Sequence, residues 1–311
     1  QQPWRPAWAG RFLSPRVLSC AVDVGENCDT QGKANMSQDH NAATTSRQPV
    51  LRLSGISKNF GAVSALTDIN LEVFPGEVVA LVGDNGAGKS TLIKTLAGVH
   101  QPTSGTIEFN GEKVVLSSPG VALDLGIATV FQDLALCENL DVVANIFLGR
   151  EMSPYRLDEV SMEIKAWKLL NELSARIPSV REPVASLSGG QRQTVAISRS
   201  LLLDPKLIML DEPTAALGVA QTAEVLDLIE RVRDRGLGVL MISHNMEDVR
   251  AVADRIVVLR LGRNNGVFYP DSSNEELVAA ITGASSNSVS RRAERRQAQH
   301  EADHTHDRGE A

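Results

Sequence analysis

No apolar run in the sequence reaches the ~18 residues that a membrane span requires. Any work at a membrane therefore needs the span to come from another chain. Cysteine is scarce: Cys20, Cys28 and Cys137 are odd in number and show no CxxC spacing. Neither a disulfide framework nor a zinc site follows, and a reducing, cytosolic setting fits. An excess of positive charge is also missing. The net charge of −7 argues against broad binding to nucleic-acid backbones, so no nucleic-acid partner is expected. The N-terminus has no secretory pattern, because Arg5, Arg11 and Arg16 lie among Pro, Trp and Gly without an apolar segment. Aromatic residues make up only 4%, but 42% of the 311 residues are hydrophobic. That suffices for one sizeable core, or a core with a satellite subdomain.

Residues 1–49 are rich in Gly, Pro, Ser, Asn, Gln and Thr and follow neither a helical nor a strand period, which reads as a disordered extension. The chain opens with Gln1 and its first methionine is Met36, so translation is expected to start near Met36. Regular patterning begins at Val50. Val50-Leu51-Arg52-Leu53 and Ile69-Asn70-Leu71-Glu72-Val73 alternate apolar and polar residues, as half-buried strands do. Pro75-Gly76 marks a turn. Val78 to Val82 is uninterruptedly apolar, the mark of a strand covered on both faces of a parallel sheet. Further strands are expected at Ile127–Val130, Leu207–Leu210, Val239–Ile242 and Ile256–Leu259, with helical stretches between several of them, which gives an α/β class. Residues 134–186 lack strand runs and carry helical spacing at Val160, Ile164, Trp167, Leu170 and Leu173, so they read as a helical insertion. After Gly283, Ser, Arg, Glu, Gln and His dominate. Residues 284–311 read as a disordered charged tail, and His300, His304 and His306 as solvated rather than metal-binding.

The segment Gly83-Asp84-Asn85-Gly86-Ala87-Gly88-Lys89-Ser90, followed by Thr91, fits GxxxxGK[ST]. It follows a buried strand and precedes the helical run Leu92, Ile93, Leu96. That context suits a loop whose glycines turn backbone N–H groups toward phosphates at a helix N-terminus. Lys89 is placed to reach the β- and γ-phosphates of ATP, Ser90 to ligate Mg²⁺, and Thr91 to support the α-phosphate side. Leu207 to Leu210 ends in Asp211-Glu212. Carboxylates at the C-terminal end of a parallel strand face the ligand crevice. Asp211 is expected in the Mg²⁺ shell and Glu212 to orient the attacking water or take its proton.

Leu187-Ser188-Gly189-Gly190-Gln191, between the phosphate loop and the Asp-Glu strand, makes residues 50–283 resemble the ATP-binding cassette (ABC) ATPases. The resemblance implies a RecA-like phosphate-loop core, an antiparallel β subdomain and an α-helical signature subdomain at about 134–205. It implies that Phe60 stacks on adenine, that Gln132 senses Mg²⁺ and links to the membrane subunit, and that His244 contacts the γ-phosphate. It also implies a homodimer, in which Ser188, Gly189, Gly190 and Gln191 of one protomer face the ATP held by the other. One position departs from the family pattern: after Pro213-Thr214-Ala215-Ala216-Leu217 stands Gly218, where most members carry Asp.

Asn139 to Glu151 and Ala215 to Val219 look like the simple-sugar import group. Many of its members fuse two cassettes, whereas this chain carries one and resembles the single-cassette branch. The implied setting is the cytoplasmic face of the cell membrane. The implied partners are an integral-membrane permease, docked on the helical insertion, and an extracytoplasmic sugar-binding protein. The alternatives are an importer ATPase for another small solute and a non-transport ABC ATPase, but the paired cassettes, coiled-coil arms or basic linker that mark the latter are missing.

Overall fold

The computed structural model describes residues 48–152 and 156–283. The segment containing Met36 and the tail with its three histidines lie outside the described residues. The chain runs through β1 (Leu51–Phe60), β2 (Val63–Val73), β3 (Val78–Val82), α1 (Lys89–Leu96), β4 (Ser104–Phe109), β5 (Glu112–Val114), α2 (Pro119–Asp124) and β6 (Ile127–Val130). Three helices follow: α3 (Val142–Phe147), α4 (Glu159–Glu172) and α5 (Gly189–Leu201). Then come β7 (Leu207–Asp211), α6 (Val219–Asp234), β8 (Gly238–Ile242), α7 (Met246–Val252), β9 (Arg255–Arg260), β10 (Arg263–Phe268) and α8 (Asn274–Thr282).

The strands form two sheets. One is antiparallel, in the order β2-β1-β4-β5. The other runs β10-β9-β3-β8-β7-β6 and is parallel apart from the edge strand β10. Successive side chains of a strand point to opposite faces. In the central strands both sets are apolar. Val79, Leu81, Leu207, Met209, Leu240, Ile242, Val257 and Leu259 share a core with α1 and the antiparallel sheet. Their neighbours Val78, Ala80, Val82, Ile208, Leu210, Val239, Met241, Ile256 and Val258 enter a second core with α5, α6 and α7. This two-sided burial is what makes Val78–Val82 an unbroken apolar run.

The helical insertion has a core of its own, built from α3, α4 and residues 177–187. Helix α5 belongs to both bodies: Val195 packs into the helical core, while Ala196, Ile197 and Leu201 pack under the parallel sheet. Of the residues with helical spacing in the sequence, Leu170 and Leu173 face inward. Val160 and Ile164 are 68% and 65% exposed, whereas Met162, Ala166, Leu169 and Leu170 are buried. Helix α4 carries two apolar stripes that share Leu170: Met162, Ala166 and Leu170 pack with α3 in the helical core, while Leu169 joins the core under the parallel sheet. Sequence periodicity alone does not rank two such stripes.

The loop that leads from β6 into this subdomain is held by polar groups. Asn145 is fully buried. Its Oδ1 accepts from Cys137 N at 2.8 Å, and its Nδ2 donates to the carbonyls of Cys137, Asp141 and Leu140 at 2.9, 3.0 and 3.2 Å. At the far end of α5, Arg199 donates to the carbonyls of Leu134 and Ala135, both at 2.8 Å. Arg199 and Arg150 are both held below the usual arginine pKa, chiefly by burial, and Arg150 adds repulsion at Arg199. Among the described residues, no helix is long and apolar enough to cross a membrane.

Candidate active site

The phosphate loop connects β3 to α1 at the C-terminal edge of the parallel sheet. Its glycines are required by geometry. Gly83 lies so close to the carbonyl of Leu259 that a Cβ there would collide with backbone. Gly88 has φ +102°, and a Cβ on it would sit 2.9 Å from Ala65 O and 2.8 Å from Leu66 Cδ2. Gly88 is also the N-cap of α1, and neither a side-chain cap nor an acidic residue occupies that helix start. The N–H groups of the first turn are thus left to an anion, with the helix dipole in its favour.

Lys89 is almost fully buried, and its Nζ donates to the carbonyls of Gly83 at 2.7 Å and Asp84 at 3.0 Å. Burial holds its pKa below the ordinary lysine value, and the charges of Glu212, Asp84 and Asp211 partly restore it. Asp84 serves the loop itself: its carboxylate accepts from Asn85 N at 2.8 Å and its carbonyl from Ala87 N at 3.1 Å. The loop opens onto a cleft of about 470 Å³, lined by residues 85–91, Glu212, Val63 to Ala65, Leu261 and Gly262. The last five were not foreseen. They come from the start of β2 and from the β9–β10 connection, and they reach the cleft only through tertiary pairing, as in Gly262 N donating to Ala87 O at 3.1 Å.

Asp211 and Glu212 stand at the end of β7, as expected. Burial, then the neighbouring Glu212 charge, pushes the Asp211 carboxyl above its usual range, while Lys94 and Lys89 pull it back. Glu212 has φ +51°, a conformation uncommon for a residue with a side chain. Its carboxylate Oε1 lies 3.3 Å from His244 Nδ1, so these two sequence-predicted residues meet. The donor set suits a hard cation, with a hydroxyl at Ser90 and a carboxylate at Asp211 that is raised by burial and crowded by a second one. Among the described residues, no three His, Cys, Asp or Glu side chains converge as a metal cage.

The remaining expected residues do not line this cleft. Gln132 is exposed, just past β6. Phe60 ends β1 with its ring 44% exposed; His100 meets that ring edge-on at 5.1 Å, and Lys58 Nζ stands 5.0 Å from its centroid. Ser188 caps α5 in a capping box: its Oγ accepts from Gln191 N at 3.3 Å, and its own N donates to Gln191 Oε1 at 2.9 Å. Gln191 also donates to Arg176 O at 3.0 Å, so its side chain is committed to holding the turn. Gly189 and Gly190 pack against the segment entering α6, where a Cβ would meet Leu217 Cδ2 at 2.8 Å and Gln221 Cβ at 3.1 Å, respectively. A second cleft, of about 360 Å³, lies between α6 and residues 173–176. Its charged groups pair with one another, Arg176 with Glu224 at 3.7 Å and Arg231 with Asp227 at 4.0 Å.

A parallel sheet that delivers a lysine-bearing phosphate loop, an Asp-Glu pair and a histidine to one edge defines a nucleoside triphosphatase. Comparison with known proteins narrows the class. The family model described as ABC transporter matches residues 66–215. The xylose/arabinose import ATP-binding protein of Sulfolobus acidocaldarius is 46% identical over 75% of this chain and 92% of its own length. The fructose import ATP-binding protein of Rhizobium meliloti is 44% identical over 76% of this chain and 95% of its own. A nucleotide-free ATP-binding cassette from an ABC transporter superposes with a TM-score of 0.66 at 26% identity, covering 75% of this chain and 95% of that one. The chain belongs to the ABC transporter ATP-binding family, and it is an ATPase whose hydrolysis drives transport.

Proposed function

We propose that this chain powers the import of a simple sugar, working as a homodimer on the cytoplasmic face of a membrane beneath a separate permease that an extracytoplasmic sugar-binding protein supplies. The observation that carries the reading is near end-to-end similarity to two single sugar-import subunits, over 92% and 95% of their lengths.

The site supports a division of labour. First-turn N–H groups of α1 and the Lys89 ammonium bind the triphosphate, and Phe60 offers its exposed face to adenine. Ser90, Asp211 and Gln132 would hold Mg²⁺, which would supply charge neutralisation on the phosphates. Glu212 orients the attacking water and accepts its proton. His244, 3.3 Å from Glu212, is placed to fix that carboxylate and to meet the γ-phosphate. Ser188 to Gln191 of one copy close over the nucleotide of the other, with the α5 N-terminus adding its dipole.

The test is uptake into vesicles that carry this chain, its permease and its binding protein, with labelled xylose, arabinose, fructose and ribose. ATP-dependent accumulation of at least one sugar is expected. The E212Q variant should lose it, with turnover down by at least about 100-fold and ATP binding retained. If no sugar accumulates while wild-type ATPase activity persists, the import reading fails and the enzymatic one stands.

A further inference from the structure

We infer that Asp248 is a positioning residue for hydrolysis: a buried carboxylate that ties the turn carrying Glu212 to the turn carrying His244. Asp248 lies in the first turn of α7, only 6% exposed. Both of its oxygens are occupied. Oδ2 accepts from the Thr214 hydroxyl at 2.6 Å, and Oδ1 accepts from Asn245 Nδ2 at 3.0 Å. Thr214 is two residues past Glu212, and Asn245 directly follows His244. One carboxylate therefore grips both segments whose side chains meet at the 3.3 Å Glu212–His244 contact.

The grip matters because the Glu212 turn is not at rest. Glu212 and Ala216 both adopt positive φ, +51° and +59°. Side-chain-bearing residues hold that region only where the surroundings over-determine it. On the backbone, Glu212 N donates to Ile242 O at 3.0 Å, and Ala215 N closes the turn on Glu212 O at 3.1 Å. Beyond these, the 2.6 Å bond from Thr214 anchors the turn laterally, and a hydroxyl bound to a buried carboxylate at that length is charge-assisted. On the other side, Asn245 is fixed by Ser243 Oγ at 3.1 Å and by Asp248, which aims the preceding His244. With Asp248 removed, the Glu212 turn can relax and His244 loses its register.

The inference rests on the hydrolytic roles of Glu212 and His244, and the experiment separates the two. Full-length D248A, D248N, T214V and the D248A/T214V double variant are compared with wild type and E212Q. Measured are single-turnover hydrolysis at saturating Mg-ATP, ATP affinity, and the His244 ring signal in nucleotide-free protein by NMR. The T214V variant should slow turnover by about tenfold, D248A by at least as much, and the pair by no more than D248A alone, because D248A already removes the Thr214 bond. Affinity should stay within about twofold, so that the loss falls on the chemical step. Asn can keep both bonds, accepting from Asn245 and donating to Thr214, so D248N should stay within about threefold of wild type. The His244 signal should move in D248A as it does in E212Q, with no nucleotide present. T214V turnover within twofold of wild type, additive losses, or an unmoved His244 signal in D248A would overturn the inference. Should E212Q itself hydrolyse normally, the role given to Glu212 would fail instead.

Discussion

Replacing Gly218 with Asp should stabilise this protein. Gly218 is the N-cap of α6, a 16-residue helix with no side-chain cap and no acidic residue in its first turn. Its backbone is extended, φ −75° and ψ 163°, which any residue adopts, and a Cβ added there meets nothing within 4 Å. Asp can therefore enter without strain and accept from the N–H groups of Ala220 or Gln221. Removing glycine's freedom in the unfolded chain contributes about 0.4–1 kcal/mol. The cap adds a few tenths over Gly, and a carboxylate at the positive end of the dipole adds roughly 0.3–1 kcal/mol. The sum is about 1–2 kcal/mol. Helix α6 buries Val225, Leu228, Ile229 and Val232 in the second core, so the gain registers in global unfolding. For a domain of this size it corresponds to about 3–6 °C in Tm. Calorimetry of nucleotide-free wild type, G218D and G218A at low and high salt checks this. Salt should erode only the dipole part, and G218A, lacking a cap acceptor, should gain little. A G218D melt at or below wild type, or no higher than G218A, would refute the reasoning.

Two further outcomes follow from the site. The raised Asp211 carboxyl means that ionising it opposes folding: stability is highest while it is protonated and falls as pH rises through its folded pKa. The D211N variant should therefore melt above wild type at neutral pH, with the advantage fading as pH drops through the carboxylate range, while ATP turnover is lost. Melts from pH 4 to 8 test the sign, and an advantage that grows on acidification would show it to be wrong. G88A forces a Cβ against Ala65 O and Leu66 Cδ2 at a positive φ. It should cost at least about 2 kcal/mol in denaturant titration and weaken ATP binding. Unchanged stability would mean that the loop yields more easily than its packing suggests.

The parallel sheet was legible because both faces of its strands are covered, which writes continuous apolar runs at Val78, Leu207 and Val239. The phosphate loop and the Asp-Glu pair were legible because each chemical role sits at a fixed offset from a strand end. Strands β4, β5 and β10 were not read: their burial is partial and their residues are polar or mixed, as in Ser104–Phe109 and Arg263–Phe268. Strand β1 runs on to Phe60 through register shifts that break simple alternation. Val63 to Ala65 and Leu261-Gly262 carry no chemical signature, since their place in the cleft is fixed only by how two hairpins pack. Asp248 was hidden for the same reason, its two partners being Thr214, 34 positions away, and its own helix cap.

Helix α5 has one further mechanical consequence. At its start stands the Ser188 turn; at its other end, Arg199 clasps the carbonyls of Leu134 and Ala135, just beyond Gln132. Thirteen helical residues make a strut of roughly 20 Å. A stiff bar of that kind carries displacement along its length, so a tug on the loop after Gln132 arrives at the Ser188 turn with no intervening joint to absorb it.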